Sequence, residues 1–170
     1  KMLQTGIPFT KKPVALQFDY KVKMSDRENR IRATGFSKIT DVPGKDYPAA
    51  ILLLQKRWED ANGNVYAKRI GTMVTYYYHS TDWKNNVTYE IMYGDITNRP
   101  EYKAHMMRLQ ATESYTVNSK GESVPIHEVA WGDENDVPTH MYIQFTSSHG
   151  GAYIGSPGNT LWVDNVKLVY

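Results

Sequence analysis

The chain has 170 residues and a formal net charge of +2, with 41% of residues hydrophobic and 22% charged. That balance argues against wholesale disorder and gives no sign of a nucleic-acid footprint or a polybasic membrane surface, and no apolar run approaches the ~18 residues of a membrane helix. Cysteine is absent, which removes thiol catalysis, disulfides and cysteine-ligated metals together.

Residues Pro13 to Met24 alternate, with Val14, Leu16, Phe18, Tyr20 and Val22 on one face and Ala15, Gln17, Asp19, Lys21 and Lys23 on the other. This is the period of a half-buried strand. The charged stretch from Ser25 to Arg32 reads as a solvated loop that turns into an edge strand by Ile31. Ala49 to Glu59 is a second strand, apolar first and polar later, closed by the turn cluster Asp60 to Asn64 with Gly63 at the tight position. Strands follow over Val65 to Ile70 and Thr72 to His79, with Trp83 placed in the next loop, and Val87, Tyr89, Ile91 and Tyr93 alternate again.

Gly94 to Val137 reads two ways. Asn98 and Glu101 have the spacing of a capping box, Pro100 suits a first turn, and Tyr102, Met106 and Leu109 keep helical spacing, so a short helix falls near residues 99–110. A strand over Met107 to Thr112 also fits. Asn118 to Gly121 marks a turn, and Trp131 to Pro138 an acidic loop. Met141, Ile143 and Phe145 then present a core face with Tyr142 and Gln144 opposite. The final strand runs from Leu161 to Tyr170, and the change of parity at Asp164-Asn165 predicts a bulge. Short strands between Gly, Pro and Asn turns predict an all-β fold, a two-sheet antiparallel jelly-roll sandwich formed as one domain over residues 1–170.

The last third carries His140-Met141-Tyr142-Ile143-Gln144-Phe145, Ser147-Ser148-His149-Gly150-Gly151, Gly155-Ser156-Pro157-Gly158 and the closing Leu161-Trp162-Val163-Asp164-Asn165-Val166-Lys167-Leu168. The front carries Gly6-Ile7-Pro8-Phe9 and Phe18-Asp19-Tyr20-Lys21. Together they resemble the carbohydrate-metabolism domain family of surface and periplasmic proteins in glycan-degrading bacteria. The resemblance implies a jelly roll similar to carbohydrate-binding modules, a secreted, periplasmic or cell-surface location, and further domains of the same protein as neighbours. It also implies strands before Gly6 that this piece lacks; a start at Lys1 rather than Met agrees with a processed or excised piece. The stretch from Gly94 to Val137 is longer than the family's connection, so a site built there is particular to this chain.

Sugar rings offer apolar C–H faces to flat aromatic side chains, and neighbouring polar groups take the hydroxyls. With 13 Tyr and 4 Trp against 4 Phe, the chain is rich in such platforms, although each Tyr also suits a strand. Trp162, Trp58, Trp83, Trp131, Tyr77, His79, Tyr142 and Gln144 are the candidate ligand contacts, and His140 shares the parity of the last two. Tyr76 and Tyr78 share that of Val74 and read as core.

Hydrolysis of a glycoside needs two carboxylates ~5 to 9.5 Å apart. Glu90, Asp95, Glu128, Asp133, Glu134 and Asp136 are available, with Glu90 the first choice on its Tyr-rich strand. Ser147 and Ser148 beside His149 lack the nucleophile-elbow turn. The five His are scattered without zinc spacing. No cofactor is indicated beyond calcium as a structural ion, for which Asp164 and the loop Asp133 to Asp136 supply oxygens, and a solvated acidic turn is the alternative. Three readings stay open: a noncatalytic domain binding an oligosaccharide or polysaccharide, a docking module of a surface glycan-handling assembly, and a glycoside hydrolase.

Overall fold

A computed structural model describes residues 4–35 and 38–170. The fold is all-β and sandwich-like. Its large sheet runs in the order β1 (Ile7–Pro8), β11 (His140–Thr146), β5 (Ala49–Glu59), β6 (Val65–Tyr76), β10 (Ser123–Trp131), β9 (Tyr115–Val117), and β8 (Met92–Tyr93) adds to β6. A second sheet of three strands has the order β13 (Thr160–Val169), β2 (Ala15–Lys23), β7 (Thr81–Glu90). A third places β12 (Ile154–Gly155) beside β3 (Arg30–Thr34) and β4 (Lys38–Val42).

The large sheet is mixed, which corrects the expectation of purely antiparallel pairing. β10 lies parallel to β6, from Ile126 opposite Val65 to Trp131 opposite Arg69. A parallel pair needs a long crossover, and here the chain between them passes through β7 in the second sheet and then through the 94–114 segment. The β5–β6 hairpin is antiparallel and closes where the sequence predicts. Asp60 Oδ1 accepts the Asn62 and Asn64 N–H groups at 2.9 Å, and Gly63 sits at φ +91°, a conformation that L side chains rarely adopt.

The main core lies between the second sheet and one face of the large sheet. Leu16, Phe18 and Val22 of β2 meet Ala50, Leu52, Leu54, Ile70 and Met73. Phe18 is fully buried, with the Phe145 and Tyr89 rings 5.0 and 5.2 Å away. A smaller cluster covers part of the large sheet's other face, where Leu53 and Val74 pack against Met92, Ile96 and Met107 of the segment that crosses it. β5 is therefore buried on both faces, and its apolar half runs continuously instead of alternating. β6 is the same, and this reverses an expectation: Tyr77 is buried in the main core, its hydroxyl 3.0 Å from that of Tyr89, while Tyr78 is exposed and Tyr76 half-buried on the opposite face.

The only helix among the described residues is one turn, α1 (Ala104–Met107), and no side chain caps its start. The Asn98–Glu101 capping box does not form. Asp95 instead accepts the Thr97 N–H at 2.9 Å, and successive turns lead to Tyr102. Trp83 lies within strand β7 and not in a loop. The bulge in β13 is present, between Asp164 and Lys167, with Asn165 at φ +52°. No helix among the described residues is long and apolar enough to cross a membrane.

Several carboxylates are held below their usual range by hydrogen bonds. Asp19 takes one from the Asn165 side chain and one from the Asn86 N–H; Asp60, Asp95, Asp136 and Glu59 are held the same way by Asn64, Thr97, Lys56 and Ser119. A folded pKa below the unfolded one contributes stability that is full above the unfolded value, roughly pH 4 to 4.5, and is lost as pH falls through the folded value. Urea denaturation should therefore show these contributions present at about pH 5 and lost below about pH 4; a stability that rises in acid would contradict these contacts.

Candidate functional site

The outer face of the large sheet is divided by the 94–114 segment, which covers one half and leaves a cleft over the other. A buried polar network fastens that segment. Glu128 of β10 and Arg69 of β6 meet with both side chains almost wholly excluded from solvent. Arg69 Nε donates to Glu128 Oε1 at 2.6 Å, a terminal nitrogen donates to Oε2, and Gln55 Nε2 of β5 donates to Oε1 at 2.6 Å. The same pair reaches into the segment: the Gln110 N–H donates to Glu128 Oε2 at 2.7 Å, and Arg69 donates to the Met107 and Arg108 carbonyls at 3.4 and 3.3 Å. Those two carbonyls lie at the end of α1, and Arg108 follows in extended backbone at ψ 159°. Both Glu128 oxygens are thus engaged within the wall.

Between this wall and the 146–154 loop lies a cleft of about 560 Å³. Alternation along β11 places Tyr142 and Gln144 on the same face as Ile51 and Leu53 of β5, their register partners being Leu53 and Ile51. Tyr76 of β6 and Gln110 and Glu113 of the segment complete the lining on one side, and His149 borders it on the other. A smaller cavity of about 210 Å³ shares Tyr76, Gln110, Glu113 and His149 and extends to His105 and Arg108.

The electrostatics favour neutral hydrogen-bonding groups. Burial pushes the Tyr76 and Tyr142 hydroxyls upward, so both remain donors at neutral pH, and Tyr142 donates to Gln144 Oε1. The Glu113 carboxyl lies below its usual range: burial opposes this, and hydrogen bonds from the Thr112 N–H at 2.8 Å and Arg108 at 2.6 Å outweigh it. Among the described residues it is the only carboxylate lining the cleft.

His149 is positioned by long-range contacts. Asp46, whose side chain is wholly buried, lies 3.1 Å from the imidazole Nδ1 and accepts the His149 backbone N–H at 3.1 Å. The ring stacks on Tyr47 at 5.6 Å and sits 4.7 Å from the Tyr76 ring. Sequence reasoning missed Tyr76, Gln110, Glu113 and Asp46 as parts of this site. The glycines of His149-Gly150-Gly151 and of Gly155 to Gly158 are the local signals for the loop.

The other candidates lie elsewhere. Trp58 and His140 border a separate pocket of about 210 Å³ with Arg57 and Val117, and Trp58 stacks on Tyr66 at 5.8 Å. Burial pulls the Arg57 guanidinium down to about 10 against the opposing charge of Glu128, and burial followed by Arg57 pulls His140 down. Trp162 is exposed with the Lys21 ammonium 5.5 Å above its ring, and Trp83 is exposed on the same sheet. Trp131 packs edge-on against Tyr102 and beneath the Arg69 guanidinium, as part of the wall. Tyr77 is in the core and His79 is exposed beyond β6. Glu90 pairs with Arg99 at 3.5 Å, outside the cleft.

The calcium expectation does not fit the residues present. Asp164 accepts the Asn165 N–H at 2.7 Å within the bulge. Asp133 accepts from Asn135 at 2.8 Å, and Asp136 pairs with Lys56 at 2.8 Å. Among the described residues no three His, Asp or Glu side chains converge as a cation would need. No protein-family model, curated protein or solved structure matches this chain.

Proposed function

We propose that this is a noncatalytic carbohydrate-binding domain of jelly-roll type, acting outside the cytoplasm, and that it holds a glycan in the cleft between Tyr76, Tyr142 and His149. The observation that carries the proposal is the composition of that cleft: three aromatic rings and two side-chain amides around about 560 Å³, which falls within the ~300–1,000 Å³ of small-molecule sites. Rings can cover the apolar faces of sugars while Gln110 and Gln144 exchange hydrogen bonds with hydroxyls. A single lining carboxylate, itself paired with Arg108, favours binding over a two-carboxylate hydrolysis. The sequence resemblance to a glycan-handling family points the same way.

Isothermal titration against neutral and acidic oligosaccharides should show saturable binding of one glycan class. Tyr142→Ala should weaken it about tenfold or more, the loss of ~1.4 kcal/mol or above expected of a central aromatic contact. No heat from any glycan, from protein shown folded by circular dichroism, would overturn the reading. Sugar product released in the same tubes would replace it with the hydrolase.

A further inference from the structure

We infer that the loop over residues 147–159 builds a second sugar pocket beside the cleft, one that accepts a neutral sugar unit of the same chain; this rests on the carbohydrate reading of the cleft. The loop reverses at Gly151 and Gly158, at φ +92° and +98°. Between the reversals β12 pairs with β3, with Ile154 opposite Arg32 and Gly155 opposite Ile31. A pocket of about 410 Å³ results, lined by the apolar Ile31, Ala33 and Pro157 and by Ser147, Ser148 and Ser156, the Ser148 hydroxyl donating to the Ile154 carbonyl at 2.8 Å. Among the described residues no charged side chain lines it.

Two features of this pocket have no explanation in the fold alone. Ser156 is only 8% exposed and its N–H is satisfied by Asp46 at 3.1 Å, yet its hydroxyl has no hydrogen-bond partner. A buried hydroxyl normally has a partner; the Ser156 Oγ is itself closed off from solvent, so a ligand hydroxyl becomes its missing partner only when the side chain turns into the pocket. Tyr153 stands at the rim, 76% exposed, with its backbone at φ +63°. That conformation costs an L-residue energy, and an aromatic side chain there gains nothing from burial. Its carbonyl accepts the Ala33 N–H at 2.8 Å, which fixes the turn against β3 and holds the ring at the opening.

A flat ring, apolar side walls and hydroxyls without charge match a pyranose whose C–H face stacks while its hydroxyls bond. A uronic acid or sulfated unit would find no cationic side chain among the described lining residues. Ser148 and Ile154 line both this pocket and the cleft, so the two share one wall. A glycan can cross that ridge and place adjoining units on either side.

The test uses the isotope-labelled 170-residue chain and follows amide shifts by nuclear magnetic resonance. The probes are hexasaccharides of β-linked glucose, xylose and mannose, with oligogalacturonate as the acidic comparison. One neutral probe is expected to shift the amides of Gly155, Ser156 and Gly158 together with those of Tyr142 and Gln144. Tyr153→Gly, which suits a positive φ, should raise the thermal midpoint and weaken that probe about tenfold. Shifts confined to the cleft, wild-type affinity in Tyr153→Gly, or occupancy of the loop pocket by oligogalacturonate alone would each overturn the pocket and leave the cleft reading standing. Silence at every amide with every probe would overturn both.

Discussion

Glu128→Ala is expected to destabilise the protein by about 3–5 kcal/mol, because it strands the Arg69 guanidinium in the interior without its counter-charge. Arg69 is 1% exposed, and its remaining acceptors, the Met107 and Arg108 carbonyls and Thr72 Oγ1, lie at 3.3 to 3.4 Å. They cannot replace a carboxylate that meets two guanidinium nitrogens. Gln55 and the Gln110 N–H lose an acceptor in the same step. Urea denaturation measures the loss, and a cost below about 1 kcal/mol would show that the network contributes little beyond packing. The double replacement Arg69→Met with Glu128→Leu should recover most of the stability, since apolar residues of similar volume often match a buried ion pair. It should not recover the cleft wall. Gln110 and the chain leaving α1 would then lack their anchors on the sheet, and glycan affinity should fall in a variant that remains folded. That separation distinguishes a network that only stabilises from one that also shapes a site.

The parts legible in the sequence are those where one face of a strand is buried and the other is wet. β2 reads directly from Leu16, Phe18 and Val22, and the β5–β6 turn reads from Asp60 and Gly63, because local backbone chemistry sets both. β3 and β4 carry no fully buried side chain, and β7 shows an apolar period only from Val87 onward, so its first part, through Trp83, carries no pattern that sets it apart from a loop. β6 fails for the opposite reason. Both its faces are buried, and parity therefore cannot say which face holds Tyr76 and which Tyr77. Of the site, alternation along β11 puts Tyr142 and Gln144 together on one face. Asp46 and His149 are 103 residues apart, and Glu113 reaches the cleft only because Arg69 and Glu128 hold its segment down. Such pairings arise from tertiary contact and leave no spacing to read. The family resemblance supplied an expectation about ligand class but named neither His149 nor Asp46 as part of a cleft.

Phe18→Ala should cost the fold as much as the broken ion pair, about 3–5 kcal/mol, yet leave the glycan affinity of the folded fraction unchanged. The cost follows from full burial and from ring contacts with Tyr89, Phe145 and Tyr20 at 5.2, 5.0 and 6.0 Å, none of which a methyl group can make. These neighbours come from three strands in two sheets, so the cavity cannot close by moving one of them, and the penalty stays near the upper part of the range. The unchanged affinity follows from geometry. Phe18 packs on the face of the large sheet that carries Leu52 and Leu54, while the cleft lies on the face that carries Ile51 and Leu53. Successive residues of β5 divide the two roles, and a vacancy on one face removes no contact from the other. Denaturation and titration on the same preparation measure both quantities. If Phe18→Ala loses affinity in proportion to Tyr142→Ala while still folded, the two faces of the sheet are coupled, and the cleft depends on the core's packing and not only on the side chains that line it.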